Sequence, residues 1–248
     1  KNLDLCSSGI AWANSALAGC YGNSASSLMF DNYSWNYPGE KDELITPKLN
    51  LQGVSGAKLY FDLAYQVFSG YSDSLAVFVS TDCGLNYAKV YQKGGTVLST
   101  AGSGGNNFVP TPSQWRTDTI SLNAYAGQQI VIKIQNINGY GNKLYLDNIN
   151  IQGIPVAVFS GSPTTICAGQ TVSFINNSTG NPTTYLWSFP GGTPSTSISQ
   201  NPVVSYPIAG NYAVTLKASN ANGANTSTLT NYIQVNANTS NTTTAAAC

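Results

Sequence analysis

Histidine is absent from all 248 residues, and that one absence removes several chemistries together. A Ser-His-Asp triad, a Cys-His nucleophile pair and an HExxH zinc helix cannot be assembled from this chain alone. No two of the cysteines at 6, 20, 83, 167 and 248 form a CxxC pair, which argues further against structural zinc. No GxxxxGK[ST] phosphate loop occurs. No apolar run reaches the roughly 18 residues that span a bilayer. Charge is scarce as well: 8% of residues, summing to zero, against about 25% in an ordinary globular chain. There is no basic patch to attract nucleic acid or anionic lipid. Glu40 and Glu43 are the only glutamates, and both flank Asp42 in a turn-rich loop. That setting suits exposure or cation contact better than a glycosidase acid, so no catalysis is expected.

What remains is rich in Ser, Thr, Asn, Gly and Tyr, a composition that reads as secreted or cell-surface. The sequence does not open on a signal peptide, so Lys1 is read as a processing product or an internal point of a larger product. Cys6 and Cys20 bracket a short small-residue loop and are the expected disulfide pair. The odd cysteine count leaves at least one thiol free or joined to another chain.

Residues 1–154 hold nineteen of the twenty charged side chains, and residues 155–248 hold only Lys217. The break falls at Gly153–Ile154–Pro155, a turn-and-linker signal. We therefore expect domains at 1–153 and 154–236, followed by a low-complexity tail at 237–248. In the first, short apolar runs at Ser27–Tyr33, Leu44–Leu51, Lys58–Phe68, Leu75–Thr81, Ala88–Gln92, Trp115–Leu122 and Gln129–Asn136 read as strands. Pro47 places the second of these at an edge, and Gly94–Asn107 reads as a flexible loop. In Gly139–Ile151, GYGNKLYLDNINI, the apolar alternation changes phase at Asp147–Asn148, which predicts a β-bulge there. The second domain carries six or seven strands at the spacing of an immunoglobulin-like sandwich, with Trp187 as its core anchor. The fold class is all-β: a jelly-roll β-sandwich, then an immunoglobulin-like β-sandwich.

Two binding features stand out. Asp31, Asn32, Glu40, Asp42 and Glu43 offer oxygen ligands within a dozen residues, and Asp147 and Asn148 add two more. Calcium takes six to eight oxygens of this kind. Tyr33, Trp35, Tyr37, Tyr71 and Tyr140 fall in predicted loops, where rings stack on sugars or anchor protein partners.

Taken in order, DNYSWNYPGEKDELITPKLNL, VFVSTDCGLNY, SQWRTDTISLNAYAGQ and NGYGNKLYLDNINI resemble the MAM-like jelly rolls of secreted Bacteroidetes proteins, relatives of cleaved-adhesin domains. CAGQTVSF, TTYLWSFPGG and NPVVSYPIAGNYAVTLKASNANG resemble a PKD domain, with Ser188 standing where WDFGDG has its aspartate. The resemblance implies structural calcium and strengthens Asp42 and Asp147 as ligands; with Asp31 and Asn148 from the oxygen-ligand pattern they make the expected set. Residues 1–20 depart from the family's first strand, which carries an acidic residue before its first tryptophan. From the loop aromatics, the expected ligand-contact residues are Tyr33, Trp35, Tyr37 and Tyr140, and the phylum's short O-glycosylation signal points to Ser74 and Thr119. The expected function is non-catalytic adhesion to a carbohydrate or surface protein, with the PKD-like domain as spacer. Two alternatives are a C-terminal accessory region of a secreted metalloprotease and a surface-fibre subunit that self-associates through a sheet edge or its tail.

Overall fold

The computed structural model describes residues 2–4, as a strand, and residues 11–238. The chain divides into two units, 1–53 with 57–151 and 54–56 with 152–248. The expected tail at 237–248 lies, from residue 239 on, outside the described residues.

The first unit contains β1 (Asn2–Asp4), β2 (Ala13–Ser15), β3 (Ser27–Asp31), β4 (Lys41–Ile45), β5 (Leu49–Asn50) and β6 (Ser55–Tyr65). It continues through β7 (Val67–Phe68), β8 (Ser74–Ser80), β9 (Ala88–Gly94), the single helical turn α1 (Gly95–Leu98) and β10 (Ser103–Gly104). β11 (Arg116–Ser121), β12 (Gln129–Ile137) and β13 (Lys143–Ile154) complete it. One sheet runs β1-β4-β12-β8-β9 with β5 also on β12, and the facing sheet runs β11-β6-β13-β3-β2. Period-two patterning explains the core. Leu59, Phe61, Leu63 and Tyr65 of β6, and Ile130, Ile132 and Ile134 of β12, are all buried.

Three expectations need correction. The strand over Leu44–Leu51 is two strands, because Pro47 has no N–H to give the ladder. The Gly94–Asn107 loop is tethered: β10 pairs in parallel with β7, Thr100 N–H donates to the Tyr65 carbonyl (2.8 Å), and α1 occupies its start. The first strand does carry an acidic residue, Asp4, in register with Asp42. Where a β-bulge is expected at Asp147–Asn148, Asn148 takes a left-handed φ of 48°. Beyond it the strand turns outward, and Ile149 is exposed rather than buried.

The two outer strands β9 and β11 belong to different sheets and are joined by one carboxylate. Asp118 accepts from Tyr91 Oη (2.6 Å) and Lys93 Nζ (2.9 Å) of β9 and from Arg116 Nε (2.9 Å) of β11. These donors hold its carboxyl below the usual 3.8 against the cost of burial.

The second unit contains β14 (Phe159–Ser162), β15 (Thr165–Cys167), β16 (Thr171–Asn176), β17 (Thr184–Ser188), β18 (Thr196–Ser197), β19 (Val203–Ser205), β20 (Gly210–Asn220) and β21 (Gly223–Asn236). They form sheets β14-β16-β19 and β15-β21-β20-β17-β18. Trp187 is fully buried between Phe159, Phe174 and Phe189, with ring centroids 5.3–5.8 Å away, and its indole N–H donates to the Ser199 carbonyl. The expected anchor is therefore in place.

Asp118→Ala should leave three donors facing an empty site. With two of its partners about a third exposed, we expect a loss on the order of 2–4 kcal/mol, read as a lower urea midpoint. An unchanged midpoint would show that the two edges do not depend on this carboxylate.

Candidate functional site

The register sets where the loops converge. Ile137 at the end of β12 lies opposite both Lys41, which starts β4, and Ser74, which starts β8. Ser74 lies opposite Gly94, the end of β9, and in the facing sheet Lys143 lies opposite Asp31. Loops 32–40, 69–73 and 138–142, together with α1, therefore gather at one pole of the first sandwich.

Beneath that pole the interior is polar. Asn32, Glu40, Asp42, Asp73, Asn136, Asn138 and Asn142 are all buried. Asn32 and Asn136 exchange amide hydrogen bonds (3.2 and 2.8 Å), and Asn142 ties down the 105–108 segment through Gly105 O and Phe108 N. Asp73 is the hub. One carboxylate oxygen accepts from Gly139 N (2.8 Å) and Gly141 N (3.0 Å), and the other from Asn142 N (2.7 Å). Tyr65 Oη accepts from its backbone N–H (3.0 Å). Burial is the largest influence and lifts the Asp73 carboxyl above its ordinary 3.8, although the three backbone donors pull the other way.

This cage dictates the local sequence. A Cβ on Gly139 would lie 2.1 Å from Ser72 O, and one on Gly141 would lie 2.2 Å from the Asp73 carboxylate. Between them Tyr140 takes a left-handed φ of 58° and presents its ring outward. There it joins a closed set of four rings. Tyr140 lies parallel to Tyr33 (6.3 Å) and edge-on to Tyr71 (5.1 Å), Tyr71 stacks on Phe68 (5.5 Å), and Phe68 meets Tyr33 edge-on (5.7 Å). Asn106 donates to Tyr33 Oη at the rim. Of the four expected ligand-contact residues, Tyr33 and Tyr140 come together, while Trp35 and Tyr37 stand apart, 45% and 55% exposed. Sequence reasoning missed Phe68, because it reads as the last core residue of a strand. Beside Tyr71 (43% exposed) opens a groove of about 410 Å³, lined also by Gly70, Ser72, Gly94, Gly95 and Thr96.

The four expected calcium ligands do not converge. Asp147 lies four residues along β13 from Lys143, the partner of Asp31, a separation of about 13 Å at ~3.3 Å per residue. Asp31 is occupied by Ser34, whose N–H and Oγ donate at 2.9 and 2.8 Å. Asp42 is on the facing sheet. Among the described residues no three Asp, Glu, Cys or His side chains are grouped to hold a metal. The position best suited to a hard cation is Glu40: 5% exposed, with neither carboxylate oxygen hydrogen-bonded among the described residues. Its carbonyl accepts from Asn138 N (2.9 Å).

Asp147 and Asn148 instead belong to a second polar cluster. Asp147 accepts from Ser24 Oγ (2.6 Å) and Cys20 N (3.1 Å), while Asp62 accepts from Asn148 Nδ2 (2.9 Å), Thr117 Oγ1 and Cys20 Sγ (3.1 Å). Cys20 is a free, buried thiol, so the expected bridge to Cys6 is not formed, and Cys6 lies outside the described residues. The physical reason is this site: burial, then Asp62 and Asp147, push the thiol up to about 12, where it stays protonated and donates. Cys83 is also free, and Cys167 is disulfide-bonded. Of the two glycan candidates, Thr119 is exposed on the outer strand β11, and Ser74 is half-buried between β9 and β12.

Residues 157–233 match the family model of the PKD domain. The PKD1 domain of Vibrio anguillarum Epp is 30% identical, with 34% of this chain and 99% of that one covered and a TM-score of 0.29. The PKD1 domain of the Vibrio cholerae metalloprotease PrtV is 35% identical, with 33% and 95% covered and a TM-score of 0.27. The K3 cleaved adhesin domain of Lys-gingipain from Porphyromonas gingivalis is 22% identical, with 61% and 90% covered and a TM-score of 0.45. No curated protein matches the chain.

Asp73→Asn should destabilise by about 1–3 kcal/mol, because one amide oxygen replaces two acceptors for three N–H groups. The pH dependence gives a second readout. A carboxyl raised on folding contributes stability that is complete below its unfolded value of about 3.9 and is lost as pH rises through the folded value. Wild type should thus show a downward component in stability above pH ~4 that the Asn variant lacks. Identical urea-midpoint profiles for the two would rule this out.

Proposed function

Residues 157–233 belong to the PKD domain family, and from that premise we propose that the chain is a non-catalytic binding region of a secreted or cell-surface protein. The PKD domain acts as a spacer. The jelly roll holds a carbohydrate or a surface protein at the pole of the first sandwich. One observation carries this reading: Tyr33, Phe68, Tyr71 and Tyr140 form a ring cluster at a loop-built pole, fastened from below by a buried carboxylate. Core aromatics need no such mounting. Rings set rigidly at a surface lose little side-chain entropy on binding, which is what a recognition platform requires.

Calcium belongs to the same reading, held at Glu40 and Asp42 rather than by the four-residue shell of Asp31, Asp42, Asp147 and Asn148. The buried Glu40 carboxylate, with no hydrogen-bond donor among the described residues, is costly, and a divalent cation with amide and carbonyl oxygens would offset that cost. The cation would brace the 32–40 loop that carries Trp35 and Tyr37. Of the glycan acceptors, Thr119 is the one open to a transferase.

Binding of the intact chain to plates coated with mucin or matrix proteins should fall at least about tenfold in Tyr33→Ala/Tyr140→Ala. Absence of binding by wild type, or equal binding by the variant, would remove the adhesive reading. For the cation, excess chelator should lower the melting temperature of wild type, since a ligand bound only by the folded state stabilises it. Glu40→Gln should melt at one temperature with and without chelator. No calcium by elemental analysis and unchanged wild-type melting would end that part of the proposal.

A further inference from the structure

The groove beside Tyr71 has a composition that singles out one kind of ligand. Its volume of about 410 Å³ falls within the roughly 300–1,000 Å³ of small-ligand sites. None of its lining residues is charged, and three of them, Tyr71, Ser72 and Thr96, carry hydroxyls. Three glycines open it. Gly70 has a φ of 86° and no atom within 4 Å of where a Cβ would stand, Gly95 has a φ of 53°, and a Cβ on Gly94 would meet Ser74 Oγ at 2.3 Å. At Gly70 the backbone is thereby open to close approach.

The groove is also firm. Gly95 N–H donates to Asp73 O (3.1 Å), and Ser99 N–H closes α1 on Gly95 O (3.0 Å). Arg116 holds the far side of the turn through the Leu98 and Ser99 carbonyls (3.2 and 3.1 Å). Phe68 backs one face of the Tyr71 ring.

We propose that this groove is a subsite for one neutral hexopyranose ring, an inference that rests on the adhesive reading and specifies its ligand. A pyranose presents C–H groups on one face and hydroxyls around its rim. The C–H face lies on the negative face of Tyr71, while the hydroxyls meet Ser72, Thr96 and the glycine backbone. A purely apolar anchor would leave those hydroxyls without partners. A sialic or uronic acid would find no cation there.

The test is saturation-transfer NMR on the intact chain with methyl glycosides of galactose, glucose, mannose and N-acetylglucosamine, set against sialyllactose and a sulfated disaccharide. At least one neutral glycoside should show transfer to its ring C–H protons. Tyr71→Ala should weaken that binding about tenfold. Thr96→Trp, at an exposed position, should plug the groove with circular dichroism unchanged, which keeps the test sound if Tyr71→Ala misfolds. No transfer from any neutral glycoside, transfer that survives Thr96→Trp, or preference for the anionic sugars would overturn the subsite. Those results leave plate adhesion and its dependence on Tyr33 and Tyr140 standing, so the two failures are distinguishable.

Discussion

The Asp73 carboxylate and the three backbone N–H groups that enclose it set the architecture of the aromatic pole. A buried carboxylate is expensive unless every lone pair is met. Here it is met by the turn that joins β12 to β13, so the charge and the turn conformation depend on each other. The turn then has to approach so closely that only glycine fits at 139 and 141. Tyr140, caught between them, has one place to put its ring. Gly95 hangs from the Asp73 carbonyl, so the groove wall and the ring cluster share one fastening.

That arrangement fits a chain with so few charges. Eight per cent charged residues leave little scope for ion-pair networks, and the interior uses amides instead. Asn32, Asn136 and Asn142 link strands and loops through paired donors and acceptors that stay neutral at any physiological pH. Three of the buried carboxylates have defined tasks. Asp118 joins two sheet edges, Asp73 holds a turn, and Asp62 takes the hydrogen of a thiol. Glu40 stands outside this scheme, with neither carboxylate oxygen hydrogen-bonded among the described residues.

Cys20 shows how context overrides composition. A cysteine in a secreted-looking chain, fourteen residues from another, reads as half of a bridge. Its surroundings are two carboxylates that disfavour the thiolate needed for disulfide exchange. The thiol serves as a hydrogen-bond donor to Asp62, which Asn148 and Thr117 also address. A residue expected to bind metal, Asn148, thus helps to build the wall around a cysteine.

Period-two alternation, turn residues and the charge break were enough to establish two β-sandwiches, the strand positions and Trp187 as an anchor. Those features are local, and burial of one strand face imposes them directly on the order of residues. Pro47 and Asn148 were legible as breaks in that pattern. Pro47 divides a strand instead of marking an edge, and Asn148 takes a left-handed φ where a β-bulge is expected. Which acidic residues meet was decided by strand register alone, since Asp31 and Asp147 share a sheet yet sit at different levels of it. The same holds for the ring cluster: Tyr33, Tyr71 and Tyr140 come from three loops and Phe68 from the end of β7, and their closeness follows from the pairing of β12 with both β4 and β8. Sequence separation carries no trace of such pairings, because they are set by how two sheets pack and not by any one strand's own pattern.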